Sequence, residues 1–184
     1  LVEAMASMAF NRRIEGKVND GVIKSLGGGA FSGTQFGAMR MSSVSWDVKP
    51  ETWQEGLKEM GIEVRRAVLH GFTQKELDAV KADIMADAER SVKQESSLPV
   101  RAVLGSMNSQ VARGDTLMSA AQELEMVKAF VPAITASDVN AAFARMYDTS
   151  AGMFSLQGPA SMSAPSNEEL ASMGAAAFNV NPEA

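Results

Sequence analysis

The chain contains no cysteine, a single histidine and a single tyrosine among its 184 residues. The first absence excludes disulfides, cysteine nucleophiles and thiolate metal sites, without fixing a compartment. The second excludes any site that needs two imidazoles, because His70 is all the chain can offer. Serine is plentiful, but with no second histidine and no Ser-x-x-Lys placement a hydrolase nucleophile has no activating base. No apolar run approaches the roughly 20 residues that cross a bilayer, so the sequence predicts no membrane span. A formal net charge of −5 and the lack of a clustered basic face argue against a nucleic-acid partner. No signal peptide is recognisable, and a chain that opens at Leu1 without methionine reads as part of something longer.

Hydrophobic residues make up 46% and charged residues 21% of the chain, which suits one folded domain, or one domain and a short tail, with a real core. Of the thirteen methionines, Met5, Met8, Met60, Met85 and Met107 fall within helical patterns, which favours core packing over a pliable binding surface. Residues 1–14 read as a helix with Leu1, Met5, Met8 and Phe10 as its apolar points. Residues 21–37 hold six of the fifteen glycines, and the triple glycine at 27–29 predicts a loop or an irregular strand edge. This stretch lacks the Lys-Ser/Thr ending of a phosphate loop and the spacing of a dinucleotide fingerprint. Next, Val44, Trp46 and Val48 alternate with Ser43, Ser45 and Asp47, the period of a half-buried strand. A hairpin of 30–36 with 39–48 follows.

From Pro50 the period becomes helical, with Trp53, Leu57, Met60, Val64 and Val68 facing one way, so this helix is expected to pack on the hairpin face that carries Val44 and Trp46. The run 72–94 opens with a capping box, Thr73 with Glu76, followed by Leu77, Val80, Ile84 and Ala88. Leu98, Val103, Leu104, Met107 and Val111 make a third stripe, closed by Gly114. A helix from Leu117 to Phe130 and another after Thr135, whose box partner is Asp138, complete the body, and 151–159 reads as a returning strand. The expectation is an α+β layer: helices covering one face of a mainly antiparallel sheet. Residues 1–158 form that body, and 159–184 form a linker or tail with one short helix capped by Ser166 and Glu169.

Candidate acid pairs are weak. Asp83, Asp87, Glu89 and Glu95 are interleaved with Lys81, Arg90 and Lys93, which reads as a solvated helix face, and Glu123 and Glu125 point to different sides of their helix.

The segment GFTQKELDAVKADI at 71–84 resembles the Gly-Phe-Thr-x-x-Glu-Leu-x-x-x-Lys signature of pitrilysin/insulinase-type zinc metallopeptidases, and Asn11, Arg13 and Ile14 match that family's Asn-x-Arg-Leu pattern. The resemblance covers roughly 1–158 and implies the later half of a mitochondrial-processing-peptidase-like domain, with its beginning missing. Catalytic members use a helical His-x-x-Glu-His to bind zinc, which a chain with one histidine cannot provide. The resemblance therefore implies a metal-free domain with no catalytic residues, and zinc on another half of a longer parent protein. It places Arg13, Gly27, Gly28, Gly29 and Phe31 on the wall that faces a peptide substrate. Where many members carry a second Arg and a Tyr on that wall, this chain has Asn19 and Leu26, and a helix-end salt bridge is an equal reading of Arg13. Expected partners are the zinc-bearing half and the peptide, and the expected location is the bacterial periplasm or another exported site. The alternatives are an inactive homologue that serves as a structural or assembly subunit, and an unrelated α+β interaction module.

Overall fold

The computed structural model describes residues 1–35, 39–148 and 152–184. Helix α1 (Val2–Asn19) leads into a hairpin of β1 (Gly27–Gln35) and β2 (Met39–Asp47), antiparallel, with Ala30 opposite Val44 and Gly28 opposite Trp46. Pro50 opens a single 3-10 turn that runs into α2 (Trp53–His70), and α3 (Gln74–Gln94) follows across the 71–73 corner. Helices α4 (Val100–Arg113), α5 (Ala120–Phe130), α6 (Ala136–Met146) and α7 (Asn167–Phe178) complete the chain.

The helix starts are local chemistry. Thr73, Ser119, Thr135 and Ser166 each accept from the backbone N–H three residues on, and Glu76, Gln122, Asp138 and Glu169 reach back, so all four are complete capping boxes. Bonds from Thr135 hold Asp138 below the ordinary range of its carboxyl, and bonds from Ser166 do the same for Glu169.

The core sits where α1, α3 and α6 converge beneath the hairpin. Phe143 of α6 is its centre, stacked on Phe10 at 5.2 Å, edge-on to Phe72 at 5.2 Å and tilted against Tyr147 at 4.6 Å between ring centroids. Met5, Ile14, Leu77, Val80 and Val139 close around it with essentially no exposed surface. Buried against the hairpin, the Tyr147 hydroxyl donates to the Phe31 carbonyl at 3.0 Å, and burial nonetheless pushes its pKa above the ordinary value.

Four expectations need correction. The domain is mainly helical, and among the described residues its only sheet is the two-stranded hairpin. The glycine run, expected as a loop or an irregular strand edge, lies on the edge strand β1, and Phe36, the expected end of that strand, is outside the described residues. Residues 152–159 form no strand: Phe154 packs against Phe178 at 5.8 Å and over Gly174, so side-chain burial on α7 holds this segment in place of a ladder. Ala151 is outside the described residues. The methionine expectation holds for Met5, but Met107 is 41% exposed.

The fourth correction concerns α2, whose outer face is covered by the C-terminal segment. A Cβ on Gly61 would lie 2.1 Å from the Ala177 carbonyl oxygen, so glycine lets α7 approach the α2 backbone directly. Arg65 donates to the Val180 carbonyl, Arg66 to that of Glu183, and His70 Nε2 lies 2.9 Å from that of Pro182. Trp53 is consequently half-buried and lines an open cleft of ≈ 700 Å³ with Pro165, Glu168 and Met173, and Gly56 is what lies against Val48 of the strand end. Trp53→Ala is expected to cost about 1–2 kcal/mol, below the roughly 3–5 of a fully buried aromatic. A larger loss in urea unfolding would show that Trp53 supports the hairpin after all.

Candidate functional site

The C-terminal half of α1 runs beside the start of β1, and between them lies a groove of ≈ 370 Å³ lined by Asn11, Glu15, Val18, Asn19, Leu26 and the glycines 27–29. Asn11 fixes the relation of the two elements: its Nδ2 donates to the Ala30 carbonyl at 3.2 Å, and its Oδ1 accepts from the Ala30 N–H at 2.6 Å. One side-chain amide thus occupies the outward donor and acceptor of Ala30 as a neighbouring strand would, blunting the sheet edge there. Backbone groups alternate in direction along a strand, so Gly28 shares Ala30's outward orientation.

Of the three glycines, Gly28 is sterically required and Gly29 is tight. A Cβ on Gly28 would meet the Trp46 ring at 2.4 Å, because the indole folds across the hairpin onto the bare backbone. On Gly29 it would press on Asn11 Oδ1 at 3.1 Å. Gly27 has room, with nothing nearer than 3.6 Å. The groove thus presents glycine main chain, backed by the Trp46 ring at Gly28 and by the Asn11 amide at Gly29, and is bordered by the apolar Val18 and Leu26 and by the exposed Glu15 carboxylate.

Of the residues singled out from sequence, Gly27, Gly28 and Gly29 meet in this groove. Phe31 does not line it: its half-exposed ring lies over Gly33, further along β1. Arg13 is engaged elsewhere. Its Nε and Nη2 form a bidentate pair with Glu76 at 2.6 and 2.9 Å, Nη2 also donates to the Gly71 carbonyl at 2.8 Å, and the guanidinium lies 4.6 Å from the Phe72 ring centroid. Asn19 and Leu26, the positions that the sequence resemblance compares with an Arg and a Tyr, both line the groove, so that spacing was the available signal for them. Glu15 and the edge-capping role of Asn11 carried no signal in the sequence beyond their place on α1.

The described residues offer zinc no site. Among the described residues no group of three His, Cys, Asp or Glu side chains is placed to hold a metal ion, and His70 faces the Pro182 carbonyl. The deepest carboxylate, Glu63, is consumed by ion pairs with Lys17 at 2.6 Å and with Arg66.

No protein-family profile and no curated protein matches the sequence. Solved structures do match in fold. The periplasmic protease PqqL of Escherichia coli aligns over 100% of this chain and 21% of its own length, with TM-score 0.76 and 16% identity. The first half of the same protease aligns over 98% of this chain and 40% of its own, with TM-score 0.70 and 17% identity. A predicted insulinase-family protease of Yersinia pestis aligns over 96% and 38%, with TM-score 0.81 and 13% identity. The fold is therefore that of a pitrilysin/insulinase-type peptidase domain, and the chain spans from about a fifth to two fifths of the structures it matches. No described helix is long and apolar enough to cross a membrane.

Proposed function

We propose that this chain is a non-catalytic domain of a zinc-dependent metallopeptidase and forms part of the wall that faces an extended peptide substrate, opposite a zinc-bearing half of the same parent protein. The observation that carries this reading is the groove beside Gly27–Gly29, where bare strand backbone borders open space. A strand edge recognises peptide main chain through N–H and C=O groups and is therefore tolerant of sequence. Arg13 enters the proposal only indirectly, as the residue that locks α1 to the α3 corner and so holds one wall of the groove in place. The zinc would reside in the other half, since this chain's donors do not suit it. An exported location accompanies the reading, because one structure of the same fold is a periplasmic protease.

The test fills the groove from a position that folding does not need. Asn19 is an exposed residue at the end of α1, and Asn19→Trp is expected to leave thermal unfolding unchanged while weakening binding of an unstructured peptide by on the order of tenfold, seen as lost amide shift changes at residues 27–29. A peptide that binds wild type and variant equally, or shifts no amide of this edge, removes the groove from the proposal. The second reading, an inactive homologue serving as an assembly subunit, is favoured by the uncovered apolar face of α4. It requires a groove without peptide affinity.

A further inference from the structure

Only one charged group lines the groove beside Gly27–Gly29, the exposed Glu15 carboxylate, and among the described residues no cation pairs with it. The four cations of α1 and of the loop after it are all turned to other carboxylates: Arg12 to Asp83, Arg13 to Glu76, Lys17 to Glu63 and Lys24 to Glu55. A second carboxylate stands close by. Asp47 Oδ2 lies 3.6 Å from where a Cβ on Gly27 would be, and Asp47 too has no ion pair among the described residues. The groove is therefore negative, with nothing in its lining to balance it.

The position of Glu15 follows from the steps of helix and strand. Asn11 and Glu15 are one turn apart on the same face of α1, a rise of about 6 Å, and the outward-turned residues Ala30 and Gly28 are about 6.7 Å apart along β1. Asn11 is bonded at the level of Ala30, so Glu15 comes to the level of Gly28. An amide, with a donor and an acceptor, closes the edge at the first level. A carboxylate has no donor for the Gly28 carbonyl, and among the described residues the outward main chain of Gly28 has no partner. A peptide paired with Gly28 cannot extend its ladder past the Asn11 amide, so beyond that residue its side chains must hold it. Val18 and Leu26 supply apolar surface for an aliphatic stem, and Glu15 supplies the charge for a cationic head.

We propose that Glu15, assisted by Asp47, makes this groove selective for a lysine or arginine side chain of the bound peptide. The inference rests on the groove being a peptide site and names the side chain taken there. The test uses N-acetylated, C-amidated peptides of alternating threonine and valine whose central residue is lysine, norleucine or glutamate, so that only this side chain differs. From amide shift changes at residues 27–29, the lysine peptide is expected to bind about three- to tenfold more tightly than the norleucine peptide and the glutamate peptide more weakly than either, with the spread shrinking as salt rises. Glu15→Gln should shrink the lysine-to-norleucine ratio, and the double variant Glu15→Gln with Asp47→Asn should bring it to about one. Glu15→Lys should transfer the preference to the glutamate peptide. Both carboxylates are exposed, so the unfolding temperature of each variant should stay at the wild-type value. Equal binding of the three peptides at residues 27–29, or a lysine preference that survives in the double variant, would overturn the selectivity while leaving the groove as a peptide site. Binding of none of them would remove the peptide site itself, and the selectivity with it.

Discussion

Phe143→Ala is expected to destabilise the domain by about 3–5 kcal/mol, as the loss of a fully buried aromatic leaves a cavity that surrounding groups only partly fill. The site has little freedom to collapse. Phe10, Phe72 and Tyr147 each contact the ring from a different element or corner, and Met5, Ile14, Leu77 and Val139 behind them are buried to the same degree. Stacked and edge-on geometry adds about 0.5–1.5 kcal/mol per pair beyond burial, so Phe143→Leu, which keeps most of the volume, should still lose a measurable part. Urea unfolding would read this as a shift of midpoint at constant slope. A loss under about 1 kcal/mol would mean that the ring cluster is not where the domain's stability is concentrated. Tyr147 links the cluster to the hairpin through the Phe31 carbonyl, so the variant should also loosen the strand that borders the groove.

The elements most legible in the sequence were those with complete local instructions. The Thr73–Glu76 and Thr135–Asp138 boxes started helices where their spacing placed them, and Gly114 ended α4 because only a residue at ease with positive φ closes a helix in that way. The alternation of Val44, Trp46 and Val48 correctly indicated a half-buried strand. What the pattern could not convey is which surface an apolar stripe meets. The α2 and α4 stripes look equivalent in sequence. In the fold, Val64 is sealed in the core while Leu104 is 55% exposed, because burial depends on elements far away in the chain. The returning strand failed for a related reason: a strand exists only with a partner edge, and here Phe154 has its partner on α7.

The candidate site was legible in part. Glycine density marked the 27–29 edge, since close approach of backbone and of the Trp46 ring demands it. The Asn11 amide bond to Ala30 spans 19 residues of sequence and leaves no local trace, so the closure of the edge at that point had to come from the structure. Arg13 illustrates the opposite case. Its motif was visible, but a motif fixes which residue is present and not how its donors are shared, and here they go to Glu76 and Gly71.

Arg13→Met is expected to cost about 2–3 kcal/mol at neutral pH, somewhat less than the roughly 3–5 that follows the breaking of a fully buried pair. The side chain is only 13% exposed and its partner Glu76 26%, so removing the guanidinium leaves a carboxylate poorly solvated and a Gly71 carbonyl without its donor. The pH dependence gives the same interaction a second readout. Burial alone would raise the Glu76 pKa, but hydrogen bonds from Arg13 and Thr73 and the Arg13 charge together bring it below its ordinary value of 4.5. A carboxyl whose folded pKa is depressed stabilises the native state above its unfolded pKa, and that stability is lost as pH falls through the folded value. Glu76→Gln should therefore be less stable than wild type at pH 7, and the two stability curves should converge as pH drops below about 4.5. In Arg13→Met the depression itself should diminish, so Glu76, followed by carbon-detected NMR, should titrate higher than in wild type. Parallel stability curves for wild type and Glu76→Gln across this range would show that the Arg13 pair contributes no proton-linked stability, and would assign the cost of losing Arg13 to its packing on Phe72.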